Sequence, residues 1–544
     1  MPSYIEELMK KAKKEREAGI VPVKPVEEKV EEKKPEEKPE LKKEGKPELK
    51  VEQKFLEIEA ELPKEKSLIA SYGSVRIYKV PGEPLLIYAI PVVRPTGPEK
   101  VLISTIKEAA TRLITVSPEE FRDIERKREF YFKKVKEIIE ASPELGVPST
   151  RVDFYALQVM KEMVGYGLID DLVRDDKLEE IMVIGPQAPV YVFHREFGML
   201  KTNVVFSDDS EIRNIIDRIA RDVNRRVDLQ SPILDARLPD GSRVNATIPP
   251  ISLNGSTLTI RKFRSDPYSV VDLIKYGTIS SELAAFLWLA VTGLGAHPAN
   301  ILVAGGTGSG KTTTLNVLAS FIPPRERVLS IEDTAELNLP LSHWIRFEAR
   351  PPSIEGLGEI TLDTLVKNTL RMRPDRIIVG EIRHAEAFTL FTAMNTGHHG
   401  CMGTVHANSA QETLVRLLSP PMNVPLVMLD ALDFVLMQQR IVDPRKGTIR
   451  RVTELAEIQG IAGNAPQTQL LFEWDPAPDI IKNNNLSSRY ENRLMKFTGM
   501  SKSDLDYEKE KRKDFLEILV KKNIRKLSDV ALEIRKFEES EKHG

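Results

Sequence analysis

The run Gly305-Gly306-Thr307-Gly308-Ser309-Gly310-Lys311-Thr312 constrains this chain more than any other stretch. It matches the phosphate-loop pattern G-x-x-x-x-G-K-[ST], with an apolar strand, Ile301-Leu302-Val303-Ala304, before it and an apolar-faced helix after it. Glycines let successive backbone N–H groups turn inward into an anion cradle, and the helix beginning near Lys311 adds the positive end of its dipole. Lys311 is placed to reach β- and γ-phosphates, and Thr312, with Thr313 beside it, presents a hydroxyl oxygen suited to Mg²⁺. Such a loop belongs at the edge of an α/β sheet. The sequence continues accordingly, with strands over 301–304, 328–331, 377–379 and 402–405 and helices over 312–321, 362–372 and 385–395. That alternation implies right-handed crossovers and a mostly parallel sheet.

A phosphate loop also needs an acid at the end of a neighbouring strand, to hold the metal or orient water. Two segments offer one. Ser330-Ile331-Glu332-Asp333 closes one predicted strand and Arg376-Ile377-Ile378-Val379-Gly380-Glu381 closes another. The second carries Gly380 where many phosphate-loop enzymes have Asp. A third constellation, Thr396-Gly397-His398-His399-Gly400-Cys401-Met402-Gly403-Thr404-Val405-His406, puts histidines at a strand of this sheet. They suit phosphate sensing, a structural role or a metal, although one cysteine and this spacing make no recognisable zinc set.

Upstream, the expectation is a smaller α/β domain over 55–265, itself divided near 150–175, ahead of a phosphate-loop domain with a helical extension over 266–544. Helices are expected over 153–164 and 211–223 and a strand over 258–262, with Asp240-Gly241 as a hairpin turn. Ser117, Pro118 and Glu120 form a capping-box signal for a helix running to about residue 142. Residues 24–50 hold nine Lys, nine Glu and four Pro, so this segment cannot bury enough surface to offset its conformational entropy and reads as a tether. Before it, Tyr4, Ile5, Leu8, Met9 and Ala12 share one helical face, either a docking element or an unused terminus.

Composition excludes several classes. Lys+Arg 79 against Asp+Glu 81 leaves a net charge of −2, so no global excess draws the molecule to nucleic acid. Trp288, Trp344 and Trp474 are scattered, with no basic groove of interleaved aromatics, and no nucleic-acid partner is expected. A single cysteine, Cys401, excludes an intrachain disulfide scaffold and fits a reducing interior. The N-terminus lacks the apolar core of a signal peptide, and the longest apolar stretch, 283–296, is too short to span a bilayer. The expectation is a cytoplasmic protein.

GGTGSGKT, SIEDTAEL, RPDRIIVGEIR and TGHHGCMGTVHANS, in that order, resemble the Walker A, Asp box, Walker B and His box of the type II/type IV secretion ATPase superfamily, over about residues 175–460. The Gly380-Glu381 ending is that family's own. PPMNVPLVMLDALDFVLMQQRIV followed by RRVTELAEI is similar to archaeal members, most of all the archaellum motor and assembly ATPases, and the four-cysteine zinc module of many bacterial members is absent. The resemblance implies a homo-hexamer with a RecA-like C-terminal domain, binding ATP and Mg²⁺ between its domains. It would work on a polytopic membrane platform protein with cytoplasmic accessory proteins, at the cytoplasmic face of the membrane. By the same resemblance Glu332 orients the attacking water, Glu381 is the Walker B acid, His398 and His406 are the paired box histidines, and Arg237 and Arg243 reach the phosphates.

Overall fold

A computed structural model describes residues 65–543, apart from 93, 115–123, 264–265, 353–356, 444–445 and 464. The helix expected at the N-terminus, the expected tether and the capping-box signal around Ser117 lie outside the described residues. The chain forms two compact units that divide between residues 264 and 265.

The first unit is built on a nine-stranded sheet. Its strands are β1 (Ser67–Tyr72), β2 (Val75–Lys79), β3 (Leu86–Ala89), β4 (Leu178–Val183), β5 (Pro189–His194), β6 (Gly198–Val205), β7 (Ile233–Arg237), β8 (Arg243–Thr247) and β9 (Thr257–Arg261). They are ordered β1-β2-β3-β6-β5-β4-β9-β8-β7, and only the β3–β6 pairing is parallel. Helix Asp209–Asp222 lays Ile212, Ile215, Ile216 and Ile219 on the sheet, the 3.6-residue spacing seen in its sequence. Three further helices, Gly97–Leu113, Ile124–Glu140 and Val152–Met163, share a separate core around Ile106, Val135 and Val159. Arg128 reaches from the second of them to buried Asp170, a paired charge where an unpaired one would be costly.

The second unit holds another nine-stranded sheet, β10 (Ile301–Gly305), β11 (Val328–Glu332), β12 (Trp344–Glu348), β13 (Arg376–Ile382), β14 (Met402–Val405), β15 (Phe434–Asp443), β16 (Gly447–Ala462), β17 (Ala465–Asp475) and β18 (Ile480–Asn483). Strands β12-β11-β13-β14-β10-β15 run parallel, as the alternation of strand and helix requires. The mostly parallel expectation holds for those six only. Beyond β15 the sheet continues as an antiparallel meander through β16, β17 and β18.

The apolar stretch that is too short to span a bilayer is a core helix, Ser281–Thr292, in which every residue from Leu283 to Thr292 is buried. No described helix is long and apolar enough to cross a membrane. Trp288 of this helix stacks on Phe321, at 5.5 Å between ring centres and 9° between planes, and meets Phe515 and Phe537 on its other sides. The charged C-terminal helices, Arg489–Thr498, Lys502–Lys521 and Leu527–His543, are thereby bound to the sheet, and Phe515, Leu516 and Leu519 form their buried stripe. Trp288 Nε1 finds a partner in Glu538 at 2.9 Å, satisfying its one polar atom.

Candidate nucleotide-binding site

β10 is buried along its whole length and ends at Gly305, where the chain leaves the sheet. A side chain there has no room: a Cβ on Gly305 would lie 2.2 Å from the Gln438 carbonyl oxygen and 2.6 Å from Ser309 Oγ. Gly308 (φ +70°) and Gly310 (φ +98°) take left-handed conformations that carry the loop round to helix Lys311–Ala319. The turn therefore aims the helix N-terminus and the loop into one concavity at the carboxyl edge of the parallel strands, where open α/β sheets bind ligands. Thr312 and Thr313 are partly exposed on its first turn, while Thr314 faces inward and donates to Gln438 Oε1 at 2.6 Å.

Lys311 is 8% exposed, and its Nζ donates to the Gly306 carbonyl at 3.0 Å and lies 3.3 Å from His406 Nε2. Burial lowers its pKa. His406 follows β14, the strand beside β10, and its Nε2 is also 3.6 Å from Glu381 Oε1. Burial, and then the neighbouring Lys311 charge, lower the imidazole's pKa, which favours the neutral ring. The imidazole stands between Lys311 and Glu381 and is close to both.

Glu381 is the sixth residue of β13, and its carboxylate accepts a hydrogen bond from Arg383 Nη2 at 2.5 Å. Burial alone would raise its pKa, but the Arg383 hydrogen bond and the positive charges around it hold it below the ordinary carboxylate value. Glu332 differs. It ends β11 at 1% exposure, with Oε1 accepting from the backbone N–H groups of Glu336 and Leu337, both at 2.8 Å. Burial lifts its pKa to about 7 in spite of those two bonds. Two carboxyls on adjacent strands are thus tuned apart, one held ionised and one poised near neutrality, the pattern that separates electrostatic from proton-handling roles.

The pairing of β11 with β13 also accounts for Gly380. A Cβ at 380 would lie 2.8 Å from Glu332 Cγ and 3.3 Å from its Cβ, so the long acid of β11 occupies the space that a side chain on β13 would fill.

Among the described residues, three buried oxygens around the loop, Ser309 Oγ, Glu332 Oε2 and Glu381 Oε1, have no hydrogen-bond partner. Buried polar atoms normally have one, so this concavity is chemically incomplete without a polar ligand. The Thr312 hydroxyl and Glu381 Oε1 are hard oxygen donors of the kind that suits Mg²⁺.

The structure brings Lys311, His406 and Glu381 together but does not bring His398 to them. His398 precedes β14 and His406 follows it, so a strand crossing the sheet separates the two, and His398 lies at the amino edge. There it sits beside His399, whose ring is 4.4 Å from that of His297. Within one chain the direction of β14 keeps His398 and His406, the expected paired box histidines, at opposite ends of that strand. Arg237 and Arg243 belong to the first unit, where they are register partners across the β7–β8 hairpin. Arg243 pairs with Asp235 at 3.0 Å, and Gly241 (φ +90°) makes the turn that Asp240-Gly241 predicts. Gln438, Arg440 and Arg450, which touch the loop, carry no local signal in the sequence, because only the register of β15 and β16 places them there.

A parallel sheet with a glycine loop leaving β10, and with acids on β11 and β13 beyond the intervening β14, defines a RecA-like α/β domain. Residues 162–487 match the type II/IV secretion system protein family, and the chain belongs to that family. An uncharacterized protein of Methanocaldococcus jannaschii is 34% identical over 545 residues, covering 68% of this chain and 75% of its own length. The type IV secretion system protein VirB11 of Bartonella henselae is 31% identical over 276 residues, covering 44% of this chain and 76% of its own. The crystal structure of the VirB11 ATPase from the Brucella suis type IV secretion system, in complex with sulphate, aligns at 26% identity and a TM-score of 0.27, covering 52% and 90% of the two chains.

Proposed function

We propose that this chain is a Mg²⁺-dependent ATPase that works as a homo-hexamer and powers assembly of an archaeal type IV pilus-like filament, with the archaellum, and its rotation, as the leading case. The observation that carries the reading is the convergence of Lys311, His406 and Glu381 at the glycine loop, beside a carboxyl at 332 whose pKa is raised to about 7. Lys311, released from the Gly306 carbonyl, neutralises the terminal phosphates, and Glu332 orients and deprotonates the attacking water. When bound through Thr312 and Glu381, Mg²⁺ supplies charge neutralisation on the phosphate oxygens. Arg237 and Arg243 act on the phosphates once the ring forms, and a membrane platform protein receives the resulting domain motion. A second reading, an ATPase of a pilus, secretion or conjugation system, is favoured by similarity to VirB11 and to the conjugal transfer protein TrbB of Rhizobium radiobacter.

The test is phosphate release by the purified chain with and without Mg²⁺ across a dilution series, with light scattering for mass, beside deletion of the gene scored for swimming and for surface adhesion separately. Full specific activity in a monomer would remove the hexamer, and unaffected swimming with lost adhesion would favour the second reading. Arg237→Ala or Arg243→Ala is expected to lower kcat more than ATP affinity, as for charges that engage in the transition state. Equal losses in both would place them in ground-state binding instead.

Gly380→Ala tests the packing of the two acids. The added methyl is expected to displace the Glu332 side chain and lower kcat about 10²-fold, the scale of a misplaced reacting group, while the chain still melts cooperatively. Wild-type kcat in a folded variant would show that β11 can yield without cost.

A further inference from the structure

The glycine loop is gripped from outside by the β15–β16 hairpin, and we propose that two arginines of that hairpin serve the nucleotide's phosphate tail. Arg450 is a positioning residue that fixes the crest of the loop, and Arg440 is a positive charge at its mouth. The assignment rests on the nucleotide-binding reading above and adds two residues to it.

Arg440 and Arg450 face each other directly across the antiparallel pair. Arg450 Nε donates to the Gly308 carbonyl oxygen at 3.0 Å, and its Cδ is 3.4 Å from where a Cβ on Gly310 would lie. A Cβ on Gly308 would lie 3.3 Å from Arg440 Nη1. The two side chains thus lie against both left-handed glycines.

Within a planar peptide the carbonyl and the N–H point opposite ways. By holding the Gly308 carbonyl toward the hairpin, Arg450 turns the Ser309 N–H away from it, into the loop. Among the described residues that N–H is spent only on a long 3.4 Å contact with the Gly306 carbonyl, which also accepts from Lys311 Nζ. The Lys311 and Ser309 donors therefore converge on one carbonyl, an arrangement that a phosphate oxygen can replace, while the Gly308 anchor from the hairpin stays in place.

Charge points the same way. Like charges directly opposite each other in an antiparallel pair are destabilising. Among the described residues no carboxylate forms an ion pair with Arg440 or Arg450, and Arg440 is exposed. A polyphosphate tail at the adjacent loop would offset that repulsion. Planar guanidiniums are well suited to phosphate oxygens.

The experiment is equilibrium binding of Mg·ATP to the full chain by calorimetry, comparing wild type with Arg450→Ala, Arg450→Lys, Arg440→Ala and Lys311→Ala. Arg450→Ala is expected to raise Kd about tenfold. Arg450→Lys is expected to restore most of the loss, because an ammonium can donate to the same carbonyl, whereas a merely bulk-filling role would not depend on that donor. Arg440→Ala is expected to raise Kd and to flatten its dependence on salt. Unchanged Kd in both alanine variants, with Lys311→Ala weakened, would overturn the arginine assignment and leave the nucleotide reading intact. An Arg450→Lys variant as weak as Arg450→Ala would overturn the positioning role. A wild-type chain that binds no ATP would overturn both.

Discussion

Glu332→Gln is expected to keep ATP affinity and to lose about 10²- to 10⁴-fold in kcat, the range that a positioned general base contributes. The amide keeps the side chain's size, so the loop, the helix N-terminus and Lys311 are undisturbed, and only the proton acceptor is lost. The environment of Glu332 sharpens the expectation. Burial lifts its pKa to about 7, so in the free enzyme the ionised form grows as pH rises through neutrality. Accordingly kcat/KM is expected to climb between about pH 6 and pH 8 and then level off, and the variant is expected to lose that limb. The linkage to stability has the opposite sense. A carboxyl whose folded pKa is raised binds its proton more tightly when folded, so its contribution is fully present below the ordinary carboxylate range and is lost as pH rises through 7. Activity and stability should therefore move in opposite directions across this window. Stopped-time phosphate release and thermal melts at matched pH check both. Wild-type kcat in Glu332→Gln, with Glu381→Gln inactive, would exchange the roles of the two acids.

Lys311→Ala is expected to lower turnover about 10²- to 10³-fold, the usual cost of losing one preorganised charge from a developing anion. Two features make this site more sensitive than an exposed lysine would be. The ammonium is buried, so water screens it little, and it is close to the His406 imidazole that stands before Glu381. Its removal takes one nearby positive charge from the Glu381 carboxylate, whose hydrogen-bonded cation is Arg383. Affinity for ATP should fall as well, whereas Glu332→Gln should leave it alone. Calorimetric Kd values set beside kcat for the two variants separate a phosphate-binding charge from a water-handling one.

Much of the second unit is legible because each local signal agrees with the tertiary one. The run Ile301 to Ala304 is wholly apolar, as befits a strand covered on both faces, and the glycines that follow can only be a turn. Helix and strand limits elsewhere in the parallel region fall within a few residues of the expected ones. Sequence patterning failed where long-range pairing decides the outcome. Strand β16 reads GTIRRVTELAEIQGIA, whose charges and mixed spacing fit neither a buried strand nor a clean alternation, because its first half is partly exposed and its middle is covered. His398 and His406 look like partners along the chain, yet the four residues of β14 carry the backbone across the sheet between them. Arg440 and Arg450 are ten positions apart and meet through register alone. Arg383, two residues beyond Glu381 and so on the same face of an extended chain, holds the Glu381 carboxylate, a pairing that strand alternation makes legible once β13 is known to run to Ile382.

The contact between Gly380 and Glu332 also has a consequence for inheritance. The two positions share one volume, so neither can change freely while the other stays. A lineage that gained a side chain at 380, as an Asp-Glu ending on β13 would supply, would first have to shorten or redirect the acid on β11. Adding the β13 side chain while the β11 acid keeps its length crowds that acid at 2.8 Å, so it must move from its place on the sheet.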